Sequence, residues 1–289
     1  MMLSMKAWMQ VDRRCGNSLR PLLCMLAAFG LSACATVSPG APASELSTAG
    51  FSAEQPTVLI TGSNRGIGLA LARYYAAADW NVIATARRPD ASEELAVLGA
   101  QQNVVLAQLD VTDLDRIDEL AGRLSGVPID LLINNAAVLG ELEGQQVGSF
   151  DFEQFEWTMA VNVYGPMAMA EAFRNNVAIS QQKKIATLTS GLGSLTIMGR
   201  MEGMTYYRVS KTGINMGMRA IRASYKKDGI IVALIAPGMV DTQLLSDSGY
   251  RGKSLTPADS AAAMAAVLES LTLDDKGTPT NFDGSTIPW

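Results

Sequence analysis

The sequence of 289 residues is 48% hydrophobic and 18% charged, which is ordinary for a globular protein and excludes a disordered or collagen-like chain. Its net charge of −5 argues against a nucleic-acid partner, because no basic field is present to replace the counterions of a phosphate backbone. Histidine is absent, which excludes Ser-His-Asp hydrolases, Cys-His proteases and zinc sites built with imidazole. The only cysteines are Cys15, Cys24 and Cys34, so no disulfide framework or metal site is predicted in the rest of the chain.

The first 34 residues have the pattern of a bacterial lipoprotein signal peptide. Three arginines precede an apolar run from Pro21 to Gly30, which is too short to span a bilayer but suits a signal-peptide core. The segment ends in Leu-Ser-Ala-Cys, where Cys34 would become the lipidated first residue. Residues 35–55 are rich in small residues and predict a flexible linker. We therefore expect an exported protein that faces the periplasm and touches the membrane only through Cys34. A cytoplasmic protein with a later start codon is the alternative.

Residues 56–289 predict one domain in which strands and helices alternate. Short apolar runs predict buried strands at 58–61, 81–85, 104–109, 131–133, 185–188 and 230–235. Amphipathic stretches predict helices at 68–78, 113–124, 152–175, 206–227 and 257–271. This alternation predicts parallel strands with right-handed crossovers. The expected fold class is α/β, with a single doubly wound parallel sheet of the Rossmann type and helices on both faces.

A glycine-rich turn joins the first predicted strand to the first helix. Glycines in such a turn let the backbone approach a pyrophosphate, and the helix N-terminus offers free N–H groups and a partial positive charge to that anion. The turn therefore predicts a dinucleotide site formed by Gly62, Ser63, Asn64, Arg65, Gly66, Ile67 and Gly68.

The end of the second strand indicates which dinucleotide binds. NAD enzymes place a carboxylate there to hold the ribose 2′-hydroxyl, whereas the 2′-phosphate of NADP requires positive charge. Here Arg87 and Arg88 end the strand without an acid, and Arg65 in the turn adds a third guanidinium. NADP(H) is the predicted cofactor. The alternative is that these arginines are solvated surface charges.

Residues 56–289 resemble the short-chain dehydrogenase/reductase family through six further motifs. These are Leu109-Asp110-Val111, Asn134-Asn135-Ala136-Ala137, Val161-Asn162-Val163, Ser190-Gly191-Leu192-Gly193, the pair Tyr207 and Lys211, and Pro237-Gly238-Met239-Val240-Asp241-Thr242. Ala137 replaces the glycine that is usual in the family. The resemblance implies further cofactor contacts from Asp110, Val111, Asn135, Ala136, Ala137, Tyr207, Lys211, Pro237, Gly238, Val240 and Thr242.

The resemblance also implies a catalytic set. A carbonyl that accepts a hydride becomes an alkoxide and must be protonated, and in a chain without histidine a phenol can serve as the donor. Tyr207 would be this acid, and Lys211, four residues further along one helix face, would lower the pKa of the phenol and hold the nicotinamide ribose. Ser190 would bind the substrate oxygen, and Asn162 would support a water-mediated proton path.

Two neighbouring residues compete for these roles. Ser190 lies further from Tyr207 than the family's usual interval, which Ser194 matches. We favour Ser190, because the strand end fixes its position while the following loop can absorb an insertion. Tyr206 lies next to Tyr207 but has no lysine four residues further on, so it cannot replace Tyr207.

Within the family, segment 191–206 and the ending 282–289 resemble C-factor and sniffer-type carbonyl reductases. The expected activity is NADP-dependent hydride transfer to or from a small carbonyl or alcohol substrate, with a homodimer compatible with this assignment. A non-catalytic NADP-binding signalling protein of the C-factor kind is the alternative, and an epimerase or dehydratase ranks last. Methionines near the expected substrate favour an apolar molecule, although they are as readily core residues: Met198, Met201, Met204 and Met239.

Overall fold

The computed structural model describes residues 46–197 and 201–289. The predicted signal peptide, Cys34 and the first part of the predicted linker lie outside the described residues, so the expectations about export and lipidation stay predictions. Within the described part, no helix is long and apolar enough to cross a membrane, and no group of three potential metal ligands comes together.

The sheet of the described chain has seven strands, in the order β3-β2-β1-β4-β5-β6-β7, and every neighbouring pair is parallel. This is the predicted doubly wound α/β fold. The order reverses between β1 and β4, and ligands of such sheets bind at this switch point, beyond the carboxyl ends of the strands. The strands are β1 Thr57–Thr61, β2 Asn81–Ala86, β3 Val104–Gln108, β4 Leu131–Asn134, β5 Lys184–Leu188, β6 Ile231–Ala236 and β7 Thr280–Asn281.

Helices cover both faces of this sheet. Alternate residues of β1 point to opposite faces, so Val58 and Ile60 belong to one buried cluster and Leu59 to the other. Helices α1 and α9 pack on the first face, whereas α3, α5 and α7 pack on the second. The helices are α1 Gly66–Ala77, α2 Glu93–Leu98, α3 Leu114–Arg123, α4 Phe152–Met159, α5 Gly165–Ala172, α6 Arg174–Ala178, α7 Thr205–Tyr225, α8 Gln243–Asp247 and α9 Pro257–Ser270.

The helix predicted at 152–175 is not continuous. Between α4 and α5 the backbone forms a π-helical segment, Ala160–Tyr164. Such segments are rare and occur often at functional sites, and this one contains Asn162. Helices α2 and α8 and strand β7 were not predicted from the sequence, because they have six, five and two residues, too few to show a periodic pattern.

The predicted flexible linker is wrong in its last ten residues, 46–55. Leu46 and Phe51 pack against the second hydrophobic cluster. The side chain of Asn81 accepts a hydrogen bond from the Ser52 N–H at 3.1 Å and donates to the carbonyl of Ser52 at 2.8 Å. Small residues dominated the composition of this segment, but two apolar side chains and one buried amide are enough to attach it to the domain.

Candidate active site

The glycine turn places the N-terminus of α1 at the switch point of the sheet. Gly62 and Gly66 have positive φ angles of 71° and 56°, which favour glycine. A Cβ atom on Gly68 would lie 2.1 Å from the carbonyl oxygen of Gly62, so the helix can pass the turn only without a side chain there. Asn135 fixes the turn from β4, because its amide donates to the carbonyls of Thr61 and Gly62 at 2.8 and 3.0 Å.

The N-terminus of α1 is suited to bind an anion. Arg65 precedes the helix, and its guanidinium has no acceptor with which to cap the first N–H groups. The first turn, Gly66 to Leu69, carries no charged side chain. Arg65 and Arg87 are both exposed, so positive charge lies at the turn and at the end of β2. These residues fit a dinucleotide that carries a 2′-phosphate.

The other predicted cofactor residues form hydrogen bonds within the fold or are partly buried. Ser63 is fully buried, and its hydroxyl donates to the carbonyl of Ile60 at 3.0 Å, so this hydroxyl is bound within the fold. The carboxylate of Asp110 accepts from the backbone N–H and the hydroxyl of Thr112. Asn64 and Ile67 are half-buried in the turn, Val111 is buried against Gly165 of α5, and Ala136 and Ala137 are half-buried after β4.

The loop after β6 lies against the glycine turn. Gly238 has a φ of 81°, and a Cβ atom there would lie 2.7 Å from the ring of Phe282. Thr242 accepts a hydrogen bond from the Leu245 N–H and caps α8, while its methyl group lies against Gly66 of the turn. Pro237 is half-buried and Val240 is buried. The loop after β6, which is predicted to contact the cofactor, therefore meets the glycine turn that is predicted to bind its pyrophosphate.

A cleft of about 1080 Å³ has Arg65 and Leu244 among its lining residues. Ala137 and the residues that follow it to Gly140 also line the cleft. Four of the lining residues carry carboxylates: Glu141, Glu143, Asp151 and Asp247. Ser190, Tyr207 and Lys211 are not among the described residues that line the cleft. Of the methionines expected at the substrate, Met198 lies outside the described residues. The other three, Met201, Met204 and Met239, are not among the described residues that line the cleft.

Asn162 projects from the π-helical segment and binds the backbone of Val138 at both polar atoms. Its side-chain oxygen accepts from the Val138 N–H, and its amide donates to the Val138 carbonyl, both at 2.8 Å. The amide also donates to the hydroxyl of Ser210 at 3.0 Å. Asn162 thus ties the segment that follows β4 to helix α7.

Tyr207, Ser190 and Lys211 lie together at the start of α7. The side chain of Ser190 lies close enough to the Tyr207 hydroxyl to lower the pKa of the phenol. The Lys211 ammonium lies 5.6 Å from the centre of the Tyr207 ring and donates to the carbonyl of Leu188, the last residue of β5, at 2.9 Å. Both Tyr207 and Lys211 are buried, with 7% and 3% of their surfaces exposed. The structure therefore brings together three of the four predicted catalytic side chains, with Asn162 joined to them through Ser210.

The pKa of Tyr207 is raised, whereas Lys211 was predicted from the sequence to lower it. Burial raises this pKa to about 12, and the nearby side chain of Ser190 lowers it by a smaller amount. Burial also lowers the pKa of Lys211 to about 8. At neutral pH the phenol therefore keeps its proton and the lysine keeps most of its charge, which is the protonation state that a proton donor for reduction needs.

The competing residues point elsewhere. Ser194 donates to the carbonyl of Pro288 at 2.6 Å and accepts from the Ile197 N–H, so it joins the loop after β5 to the C-terminal segment. The ring of Tyr206 packs between Phe150 and Phe155, with centroids 5.6 and 5.3 Å away.

Two residues at this site were not singled out from the sequence. Ser210 donates to the Tyr207 carbonyl at 2.7 Å and receives the amide of Asn162. Gln145 accepts hydrogen bonds from the backbone of Tyr206 and Tyr207. Neither residue stands in a motif that requires its type, since a serine in a helix and a glutamine in a loop are common.

Comparison with known proteins gives the same assignment. The family model for short chain dehydrogenases matches residues 56–251. The 1-hydroxy-2-glutathionyl-2-methyl-3-butene dehydrogenase of Rhodococcus sp. (strain AD45) is 32% identical over 235 residues, which cover 81% of this chain and 99% of the relative. C-signal of Myxococcus xanthus is 30% identical over 163 residues, which cover 56% of this chain and 93% of that protein.

The fold also matches solved structures. The NADPH-bound carbonyl reductase from chicken fatty liver superposes with a TM-score of 0.74 at 28% identity, covering 81% of this chain and 99% of that one. The C-signal and carbonyl reductase matches confirm the resemblance to the C-factor and sniffer-type subgroup. The chain belongs to the short chain dehydrogenase family and is an oxidoreductase of that class.

Proposed function

We propose that this protein is an NADP(H)-dependent oxidoreductase that interconverts a small carbonyl compound and its alcohol. The observation that carries the proposal is the buried Tyr207 phenol, which lies beside the Ser190 side chain and the Lys211 ammonium. The glycine turn follows β1 and Ser190 follows β5, so both lie beyond the carboxyl ends of strands in the same parallel sheet. A phenol that stays protonated beside a cation suits a reaction in which negative charge develops on an oxygen.

Each of these side chains has a part in that chemistry. NADPH supplies the hydride when it is bound. Tyr207 donates its proton to the developing alkoxide, and Ser190 holds the same oxygen by a hydrogen bond. Lys211 stabilises the phenolate left on Tyr207, and the family resemblance also assigns it the nicotinamide ribose. Asn162 holds the Val138 backbone and, by the same resemblance, supports proton delivery from water.

The cofactor is NADP(H) because positive charge stands where NAD enzymes place an acid. Arg87 follows the last residue of β2, and Arg65 lies in the turn opposite. Guanidinium groups bind phosphate through paired N–H donors, so both suit the 2′-phosphate. The chicken carbonyl reductase, which shares this fold, was solved with NADPH.

The substrate is best described as a small, uncharged carbonyl compound. Four carboxylates line the cleft beside Arg65, and their negative charge disfavours an anionic substrate. Tyr207 and Ser190 lie in a largely buried setting, which favours an apolar group around the carbonyl. The relative from Rhodococcus is named for a glutathione conjugate. Because carboxylates line this cleft, we expect this protein to have a different substrate specificity.

The test is carbonyl-dependent oxidation of NADPH, followed by absorbance with a panel of uncharged aldehydes and ketones. Tyr207→Phe should lower kcat by a factor of about 10² or more, because the packing survives while the proton donor is lost. The matched control Tyr206→Phe removes a neighbouring hydroxyl and should stay within about threefold of wild type, since the ring of Tyr206 packs against Phe150 and Phe155.

Two results would contradict the proposal. If Tyr207→Phe kept turnover close to wild type, the proton donor would lie elsewhere. If the wild-type protein bound NADPH tightly but reduced no carbonyl compound, the non-catalytic signalling alternative would replace the enzyme.

We also propose that the protein is exported and anchored by lipid at Cys34. The support is the order of the basic flank, the short apolar run and the Leu-Ser-Ala-Cys sequence.

A further inference from the structure

Helix α7 begins without a capping side chain of its own. The first four N–H groups of a helix have no partner within the helix. Met204, which precedes α7, has a φ of 48° and an apolar side chain, so it cannot supply the oxygen that normally caps a helix. The N–H groups of Tyr206 and Tyr207 therefore need an acceptor from elsewhere in the fold.

Gln145 supplies that acceptor from a distant part of the chain. Its side-chain oxygen accepts from the N–H of Tyr206 at 3.0 Å and from the N–H of Tyr207 at 3.1 Å. Gln145 is fully buried in a short 3-10 turn, Glu143–Gln145, some sixty positions before α7. A side-chain amide thus holds the backbone of the proposed proton donor directly.

The amide nitrogen of Gln145 binds the segment after β4 that lines the cleft. Its NH₂ group donates to the carbonyls of Leu139 and Glu141 at 2.8 and 3.2 Å, so both donors and the acceptor are used. Leu139 directly follows Val138, whose backbone Asn162 holds. A Cβ atom on Gly140 would lie 2.9 Å from the Gln145 nitrogen, so the segment closes tightly around the amide.

We infer that Gln145 is a positioning residue for Tyr207, which fixes the start of α7 relative to the cleft wall that carries Val138 and Leu139. The inference rests on the proposed function of Tyr207. Gln145 does not touch the reacting atoms. It acts by setting the distance between the phenol and the substrate oxygen, and small misplacements of a catalytic group are costly in rate. Nucleotide binding, which depends mainly on the turn of α1, should be affected little.

The experiment replaces the amide by an apolar chain of similar length, Gln145→Met. We expect kcat to fall about tenfold or more, equivalent to about 1.4 kcal/mol of barrier, while the Kd for NADPH stays within about threefold. If Gln145→Met does not fold, Gln145→Ala, which leaves room for water, is measured by the same criteria.

A matched control separates positioning from loss of stability. Asn176 on α6 is also buried, and its amide donates to the carbonyls of Leu124 and Val127 at 2.6 and 2.9 Å. Asn176→Leu should therefore lower Tm comparably but leave kcat within about twofold of wild type. Equal losses of kcat in Gln145→Met and Asn176→Leu, or an unchanged kcat in the Gln145 variant, would overturn the inference. An inactive wild-type protein would instead contradict the proposed function.

Discussion

Replacing Lys211 by methionine should change how the stability of the protein depends on pH. The ordinary pKa of a lysine is 10.5, and burial lowers that of Lys211 to about 8. Between these values the unfolded chain holds a proton that the folded chain has released. Unfolding then takes up a proton, so the free energy of unfolding rises with pH in this window. Below about pH 8 both states are charged, and the cost of burying the ammonium is present in full.

The difference between the two pKa values corresponds to about 3 kcal/mol, of which about 2 kcal/mol should appear between about pH 8 and about pH 10. Lys211→Met lacks the group, so the free energy of unfolding of wild type minus that of the variant should rise by this amount. Tyr207, whose pKa burial raises to about 12, is present in both proteins and largely cancels. Urea unfolding of both proteins without nucleotide, followed by fluorescence of the four tryptophans, measures the difference. A difference that stays flat across the window would refute the burial of a charged lysine at this site.

Two further predictions concern the cofactor and the location of the protein. Wild type should bind NADPH at least about tenfold more tightly than NADH, and Arg87→Asp should narrow or reverse that gap in titrations by nucleotide fluorescence. Equal affinities in wild type would contradict the assignment to the 2′-phosphate. Cys34→Ala should move the protein out of the membrane fraction or block its processing, without changing the kcat of the purified domain. An intact wild-type chain of unprocessed mass in the cytoplasm would contradict the lipid anchor.

The architecture could be predicted because buried parallel strands leave a strong local pattern. Val58 to Thr61 and the later apolar runs each stop at a turn residue, and every one of the six predicted strands is present. The break at Ala160–Tyr164 could not be predicted in the same way. That segment is apolar around most of its circumference, and its hydrogen-bond register depends on the contacts of Asn162 with Val138 and Ser210.

The site could be predicted in its residue types but not in its surroundings. Motif spacing identified Tyr207 and Lys211, and the strand end favoured Ser190, but only the fold shows Ser194 bound to Pro288. The direction of the Tyr207 pKa was wrong, because burial outweighs the effect of nearby groups and burial cannot be read from spacing. Gln145 reaches α7 from far along the chain, so no local pattern predicts it.

The central step of the proposed reaction is hydride transfer from NADPH to a carbonyl carbon, with Tyr207 as the proton donor. The most direct measurement uses NADPH deuterated at the transferring position of the nicotinamide, with mass spectrometry of the alcohol formed from an uncharged aldehyde or ketone. Wild type should place one deuterium on the carbinol carbon in each turnover, and Tyr207→Phe should form this product at least about a hundredfold more slowly. Alcohol that carries no deuterium would contradict hydride transfer from NADPH. Labelled alcohol formed equally fast by both proteins would contradict Tyr207 as the proton donor.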